Sequence, residues 1–365
     1  QQQHAVHYMQ NMQRQRPTCL RRRHVLITAH PDDESMFFLP TLYGLSNEIH
    51  QRRSRRNTQA ATAAANNSSR TAIIEEEELW LLCLTTGNYD GLGTRRSQEL
   101  QTFCEQVLWT TTTQYSKGDD DGGDDNDDDH SSTKTKQRIL NHWILVDQEQ
   151  IMADNPTQEW DIATVARCIQ TTLLFNDEEA AEATAIQQNN DADRGSGEWI
   201  LYTFDQAGVS GHVNHRDTFR AVQHLVDQQQ QPKVDTSASN SDNKSLFISQ
   251  AWMLQSESNL LAKYIPVYSW CLLLLPWLKL LLIGASATTD HHAPKNAVAD
   301  SAGKTSNSLC YRLHAPHLNW AAMATHQSQF VWYRRLFVVF SCYTYVNIWH
   351  PIAPTIKIQE TKKGR

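Results

Sequence analysis

"HVLITAHPDDE", His24 to Glu34, decides the fold. Its unbroken apolar, β-branched start is what a strand buried on both faces requires, here "HVLITA" over 24–29. That strand runs straight into His30, Asp32, Asp33 and Glu34. Carboxylates seldom sit at the mouth of a buried strand unless something pairs with them. The next residues, "ESMFFLPTLYGL" (34–45), carry apolar side chains at helical spacing, and acidic residues favour a helix start. The element is therefore strand, acidic turn, helix.

The same unit recurs along the chain. "ELWLLCLTT" (78–86), "HWILVD" (142–147), "EWILYTFD" (198–205) and "SLFISQAWML" (245–254) read as further strands. "TRRSQELQTFCEQVL" (94–108), "DIATVARCIQTTLL" (161–174) and "RDTFRAVQHLV" (216–226) read as the helices between them. Such alternation predicts an α/β fold: a Rossmann-like, mostly parallel sheet with helices on both faces. Ligands in such sheets sit at the carboxyl ends of the strands. "HPDDE", "GNYDGLG", the loop after "LVD" and "GHVNH" all follow strands and should converge on one edge.

Polar stretches near 51–70, 116–136, 178–197, 228–245 and 285–308 lack an apolar period and are expected to be disordered insertions. They divide a single domain over 24–350, preceded by a disordered or juxtamembrane segment (1–23) and followed by a tail (351–365). The net charge of −7 includes eight aspartates of "GDDDGGDDNDDD"; without them the chain stands near +1, so no nucleic-acid partner is expected. Seven cysteines, at 19, 83, 104, 168, 271, 310 and 342, form no CxxC and read as reduced core residues of a cytosol-like compartment.

The sequence begins at Gln1 and shows no signal peptide; an upstream anchor is compatible with it. The long apolar run "IPVYSWCLLLLPWLKLLLIG" (265–284) contains Pro276 and Lys279. It reads as a lipid-facing interfacial segment in preference to a spanning helix, with a buried core helix the third option. Arginines at 21–23 and at 52, 53, 55 and 56 would suit the cytoplasmic side of a membrane.

His30 and Asp33 can point from a strand-to-helix loop to one centre while Asp32 faces another way. Neutral imidazole and carboxylate suit zinc, and a catalytic zinc usually takes three protein groups plus water. The missing donor is expected in "GHVNH", where His212 and His215, three apart at a helix start, share one side. Taken singly, each motif is also compatible with an exposed histidine or a helix cap.

"AHPDDE" followed much later by "GHVNH" resembles the zinc-dependent deacetylases of the LmbE/PIG-L superfamily. "LLCLTTGNYDGLGTRRSQEL", "ILVDQEQIMADNPTQEWD", "LYTFDQAGVSGHVNHRD" and "HQSQFVWYRRLFVVFSCYTYVN" resemble its eukaryotic branch, which acts on N-acetylglucosaminyl-phosphatidylinositol. The resemblance implies His30, Asp33 and His215 as ligands of a divalent metal, most simply zinc. It makes Asp32 the general base and His212 the stabiliser of the oxyanion. It also implies a glycolipid substrate, an early step of GPI-anchor biosynthesis, and work at the cytoplasmic face of the endoplasmic reticulum membrane. Alternatives of other kinds are a deacetylase of a soluble N-acetylglucosaminyl glycoside, or a catalytically silent membrane scaffold.

Further residues carry two readings each. Arg95 and Arg96 could contact a substrate phosphate or sugar, or simply open a solvated helix. Asp205 could orient a metal-bound histidine. Glu34 could cap its helix or brace the loop. "HQSQFVWYRRLF" (326–337) fits an aromatic helix with basic edges or a headgroup contact. One departure from the family pattern stands out: Gln206 and Ala207 occupy "FDQAGVSGH", where "FDAGGVSGH" is expected.

Overall fold

The structure is a computed structural model that describes residues 20–65, 75–115, 132–188, 197–229, 246–265, 308–313 and 315–355. The strands, in chain order, are β1 (Leu20–Thr28), β2 (Glu75–Cys83), β3 (Trp109–Tyr115), β4 (Ser132–Arg138), β5 (His142–Leu145), β6 (Glu198–Thr203), β7 (Ile248–Leu254), β8 (Leu309–Arg312) and β9 (Val346–Pro351). Among the described residues the main sheet runs β5-β2-β1-β6-β7-β9-β8. Its first five strands are parallel, as the alternation predicts. Val25, Leu26 and Ile27 are wholly buried because parallel neighbours flank β1 on both edges; Val25 lies opposite Trp80 of β2 and Leu201 of β6.

This order fixes where a ligand can go. From β1 the chain moves outward through β2 to β5, then returns to β1's other edge with β6 and proceeds to β7. With right-handed crossovers, the reversal puts the helices of the two halves on opposite faces. It also makes the loops after β1 and β6 diverge, which opens a crevice between them. Those loops carry "HPDDE" and "GHVNH".

The helices are α1 (Asp33–Phe37), α2 (Leu39–Ala65), α3 (Gly93–Thr102), α4 (Ile162–Gln188), α5 (Val213–Gln229), α6 (Leu260–Tyr264), α7 (Pro316–Thr325) and α8 (Trp332–Phe340). A π-helical turn, Phe103–Val107, follows α3. Several sequence expectations need correction. The hairpin β3–β4 was not foreseen; its threonine-rich strands flank the acidic insertion and take in residues 132–136, expected to be loop. Antiparallel β9 and β8, also unforeseen, extend the sheet beyond β7. β1 begins at Leu20, inside the expected N-terminal segment. α2 continues to Ala65 and α4 to Gln188, into stretches expected to be disordered. The remainder of those insertions, including most of 265–284, lies outside the described residues.

The extension of α2 has an electrostatic cause. Arg52 and Arg56, one turn apart, both reach the buried carboxylate of Glu77 on β2, with Arg52 Nη2 at 2.7 Å from Oε2. Arg53 adds a bond to the Glu77 carbonyl at 3.3 Å. Across the start of β1, Arg21 pairs with Glu76, Arg22 with Glu198 and Arg23 with Asp177. These guanidiniums are therefore engaged by the protein's own carboxylates.

Burial opposes the charge on Glu77, but the nearby His24 imidazole and the Arg52 guanidinium outweigh it and lower its pKa from 4.5 to about 2. The stabilisation this gives is complete above about pH 4.5 and disappears as the pH falls through about 2. Glu77→Gln is expected to cost about 1–3 kcal/mol at neutral pH, because its arginine partners can re-enter water. In urea unfolding followed from pH 7 to pH 2, the variant's midpoint should fall less with acid than the parent's.

Candidate active site

The turn after β1 separates two adjacent carboxylates. Asp33 Oδ2 accepts the N–H groups of Ala29 at 3.1 Å and His30 at 2.8 Å. Its Oδ1 lies 3.1 Å from His215 Nε2. Asp32 turns elsewhere, held by Arg96 Nη2 at 3.2 Å and by Arg334. Its backbone is left-handed, φ 106°. That costs a non-glycine residue about 1–3 kcal/mol and persists only where neighbours over-determine it. They do: Asp32 N–H donates to Glu34 Oε2 at 3.1 Å, and Ser35 Oγ donates to the Asp32 carbonyl at 2.9 Å.

The loop after β6 is braced as firmly. Its single turn, Gly208–Gly211, contains Val209 at φ 58°, rare for a β-branched residue. Val209 N–H donates to Ser256 Oγ at 2.8 Å, and Lys263 Nζ donates to the Val209 carbonyl at 2.6 Å. Asp205 accepts from Gly208 N at 3.0 Å and from Ser256 Oγ at 2.5 Å. His215 Nδ1 donates to the Gly208 carbonyl at 3.0 Å, and its Nε2 faces Asp33. The ring stacks on Phe204, with centroids 4.1 Å apart. His212 Nδ1 accepts from Asn214 N at 3.3 Å, which leaves the hydrogen of the neutral ring on Nε2.

His30, His212 and His215 each offer a nitrogen, and these three atoms lie within 4.8 Å of one another. Burial, with His30 and His215 adding positive charge, lowers the His212 pKa to about 4, so its ring is neutral. Burial also opposes charge on His30, but Asp154 and Asp33 outweigh it and raise its pKa to about 9. Burial likewise opposes the charge on Asp33, yet His215 and His30 hold its carboxyl well below the usual range. Asp154 Oδ1 lies 3.0 Å from His30 Nε2, which the Asn214 side-chain nitrogen also approaches at 3.0 Å, and His30 Nδ1 lies 3.6 Å from Asp33 Oδ2.

This donor set fits a divalent metal. Two ligands about 2.0 Å from a tetrahedral ion stand about 3.3 Å apart, close to the 3.1 Å between Asp33 Oδ1 and His215 Nε2. A carbonyl acceptor on the far nitrogen, as Gly208 provides, is the usual way to orient a ligating histidine.

The crevice thus gathers His30, Asp32, Asp33, His212 and His215. The arginine pair is divided, because neighbours on a helix point about 100° apart. Arg96 is buried and bridges the Gly87 and Pro31 carbonyls, Asp32 and Asp154, whereas exposed Arg95 pairs with Glu99. Asp205 does not serve as the acceptor for His215; it acts one step back, by fixing the turn whose carbonyl does. Glu34 braces the loop, with Oε1 2.7 Å from His326 Nε2. Burial opposes charge on His326, and Glu34 outweighs it to raise its pKa.

Sequence reasoning missed Asp154, Asn214 and the inward role of Arg334. Asp154 lay in view in the loop after β5, and Asn214 inside "GHVNH" itself. Arg334 offered no signal, since 302 residues separate it from Asp32.

A largely buried cluster of three imidazoles and a carboxylate at the switch point of a mostly parallel sheet defines an α/β protein with a site able to hold a metal ion. A family model described as "PIG-L: GlcNAc-PI de-N-acetylase" matches residues 25–226, more than half of the chain, and the chain belongs to that family. It is 27% identical over 325 residues to the N-acetylglucosaminyl-phosphatidylinositol de-N-acetylase of Bos taurus, covering 89% of this chain and 81% of that protein. The protein of the same name from Saccharomyces cerevisiae is 25% identical, covering 88% and 79%. A "probable" counterpart from Dictyostelium discoideum is 22% identical, covering 90% and 93%.

Arg96→Ala takes one partner from each of two carboxylates, Asp32 and Asp154, leaves the Gly87 and Pro31 carbonyls without their donor, and should lower unfolding stability by about 3 kcal/mol. Arg95→Ala removes an exposed guanidinium from Glu99, whose oxygens still accept from Ser328, and should change it by less than about 0.5 kcal/mol. Chemical denaturation of the two variants side by side measures the difference.

Proposed function

We propose that this chain hydrolyses the acetamide of N-acetylglucosaminyl-phosphatidylinositol to acetate and glucosaminyl-phosphatidylinositol. The observation that carries the reading is the meeting of Asp33 and His215, 3.1 Å apart, from two loops on either side of the sheet's switch point. The names of the relatives supply the substrate.

His30, Asp33 and His215 would hold the metal, zinc being the ion best matched to imidazole and carboxylate donors. Such an ion supplies Lewis acidity, making hydroxide available from water at neutral pH and polarising an amide carbonyl. Asp32 takes the proton of the attacking water and returns it to the departing amine. To do so it must release the oxygen held by Arg334, the more accessible of its two arginine partners. His212, neutral and with its hydrogen on Nε2, donates to the negative oxygen that develops during attack. Glu34 and His326 keep the left-handed turn of Asp32 in place.

A lipid-linked substrate requires a membrane, and the proposed workplace is the cytoplasmic face of the endoplasmic reticulum, in line with the family resemblance. No helix of the described residues is long and apolar enough to cross a membrane.

Acetate release from the lipid-linked sugar, with chelation and metal add-back, tests the reading. Activity that survives removal of all divalent metal, or cleavage confined to soluble glycosides, would overturn it. Asp32→Asn should retain stoichiometric metal while kcat falls by about 10²–10⁴. His212→Ala should lose about 10²–10³ in kcat. His215→Ala should lose the metal itself, and elemental analysis that finds the parent's metal content in this variant would strike it from the ligand set.

A further inference from the structure

Helix α8 is built inside out. Arg334 and Val338 point inward, the former to Asp32. Trp332, 72% exposed, and Tyr333, Leu336, Val339 and Phe340 point outward. At about 100° per residue these five cover an arc of about 120° on the side away from the core. Helix α6 repeats the inversion. Lys263 is 8% exposed and bonded to the Val209 carbonyl, while Leu260 and Leu261 are about 70% exposed. The two helices are neighbours: the rings of Tyr264 and Phe337 lie 6.1 Å apart, edge to face. Amphipathic helices of a soluble fold turn their apolar side to the core, and an apolar patch facing the other way marks a partner.

The chemistry of the patch selects the partner. Neither helix contains an acidic residue, and Arg335 borders the apolar arc of α8. Trp332, Tyr333 and Tyr264 are the residue types that settle at the boundary between headgroups and acyl chains. The apolar run 265–284 continues directly from α6. A patch that is aromatic, basic and free of acids complements an anionic bilayer.

We propose that the outer faces of α6 and α8 form one docking surface that seats the protein on a bilayer containing phosphatidylinositol. The proposal deepens the reading that the substrate is a lipid-linked sugar. It also explains the inverted cations: Lys263 ties one docking helix to the turn preceding His212, and Arg334 ties the other to Asp32. The crevice is thereby held against the bilayer side of the molecule, where a sugar could enter while its lipid stays in the membrane.

Flotation of the full chain with phosphatidylcholine vesicles, with and without phosphatidylinositol, tests this without reference to activity. The triple variant Trp332→Ser, Leu336→Ser, Phe340→Ser and the double variant Leu260→Ser, Leu261→Ser should each weaken vesicle partitioning by roughly tenfold or more. Thermal unfolding should stay unchanged, since these side chains are exposed. Phosphatidylinositol should strengthen binding of the parent, and added salt should weaken that gain. Partitioning equal to the parent's in both variants would overturn the proposal. So would a parent that sediments as a dimer which both variants convert to monomer, for the face would then bind a second copy. Vesicle binding lost in the variants, together with no acetate release by the parent, would sink the deacetylase reading and leave the docking surface standing.

Discussion

The contact between Asp33 and His215 is the constraint on which the rest of the structure depends. It joins two loops on either side of the sheet's switch point, and it does so below the surface, where an unpaired carboxylate would be costly. Burial creates the demand that the neighbourhood answers. Asp33 receives two backbone N–H groups and an imidazole; Asp32 receives two guanidiniums; Glu34 receives His326. Three consecutive acidic residues thus have three separate sets of partners, supplied by the turn after β1, α3, α5, α8 and the end of α7.

Local strain is what keeps those sets apart. An ordinary helix start would carry Asp32 and Asp33 in neighbouring helical positions. The left-handed turn at Asp32 sends one carboxylate to the imidazoles and the other to the arginines, and Glu34 and Ser35 lock that turn. Val209 does the equivalent for the second loop, pinned from both sides by Ser256 and Lys263. Strain of this kind is typical of functional loops, and here two strained turns face each other across one crevice.

Much of the architecture was legible in the sequence because parallel, doubly buried strands leave continuous apolar runs. Five strands, their helices and the convergence of "HPDDE" with "GHVNH" follow from those runs alone. The failures have physical causes. β8 and β9 are short and lie at one end of the sheet, and β9 includes Asn347, whose burial makes sense only once Thr41 and Phe37 are seen bonding to it. The helical continuation into 51–65 looked like a polar loop because its anchor, Glu77, belongs to another strand.

At the site the division is similar. Residue types and spacing pointed to His30 and Asp33, to one of His212 and His215, to the separate place of Asp32 and to the position of the crevice, since these rest on local geometry and strand order. The choice of His215 came from the family resemblance. Only the tertiary structure decided that Arg96 turns in while Arg95 turns out, that Gly208 and not Asp205 orients His215, and that Asp154 and Arg334 close on His30 and Asp32. Those choices depend on which distant segment supplies a counter-charge to a buried group. Charge pairing across 124 to 302 residues leaves no periodicity for a sequence to display.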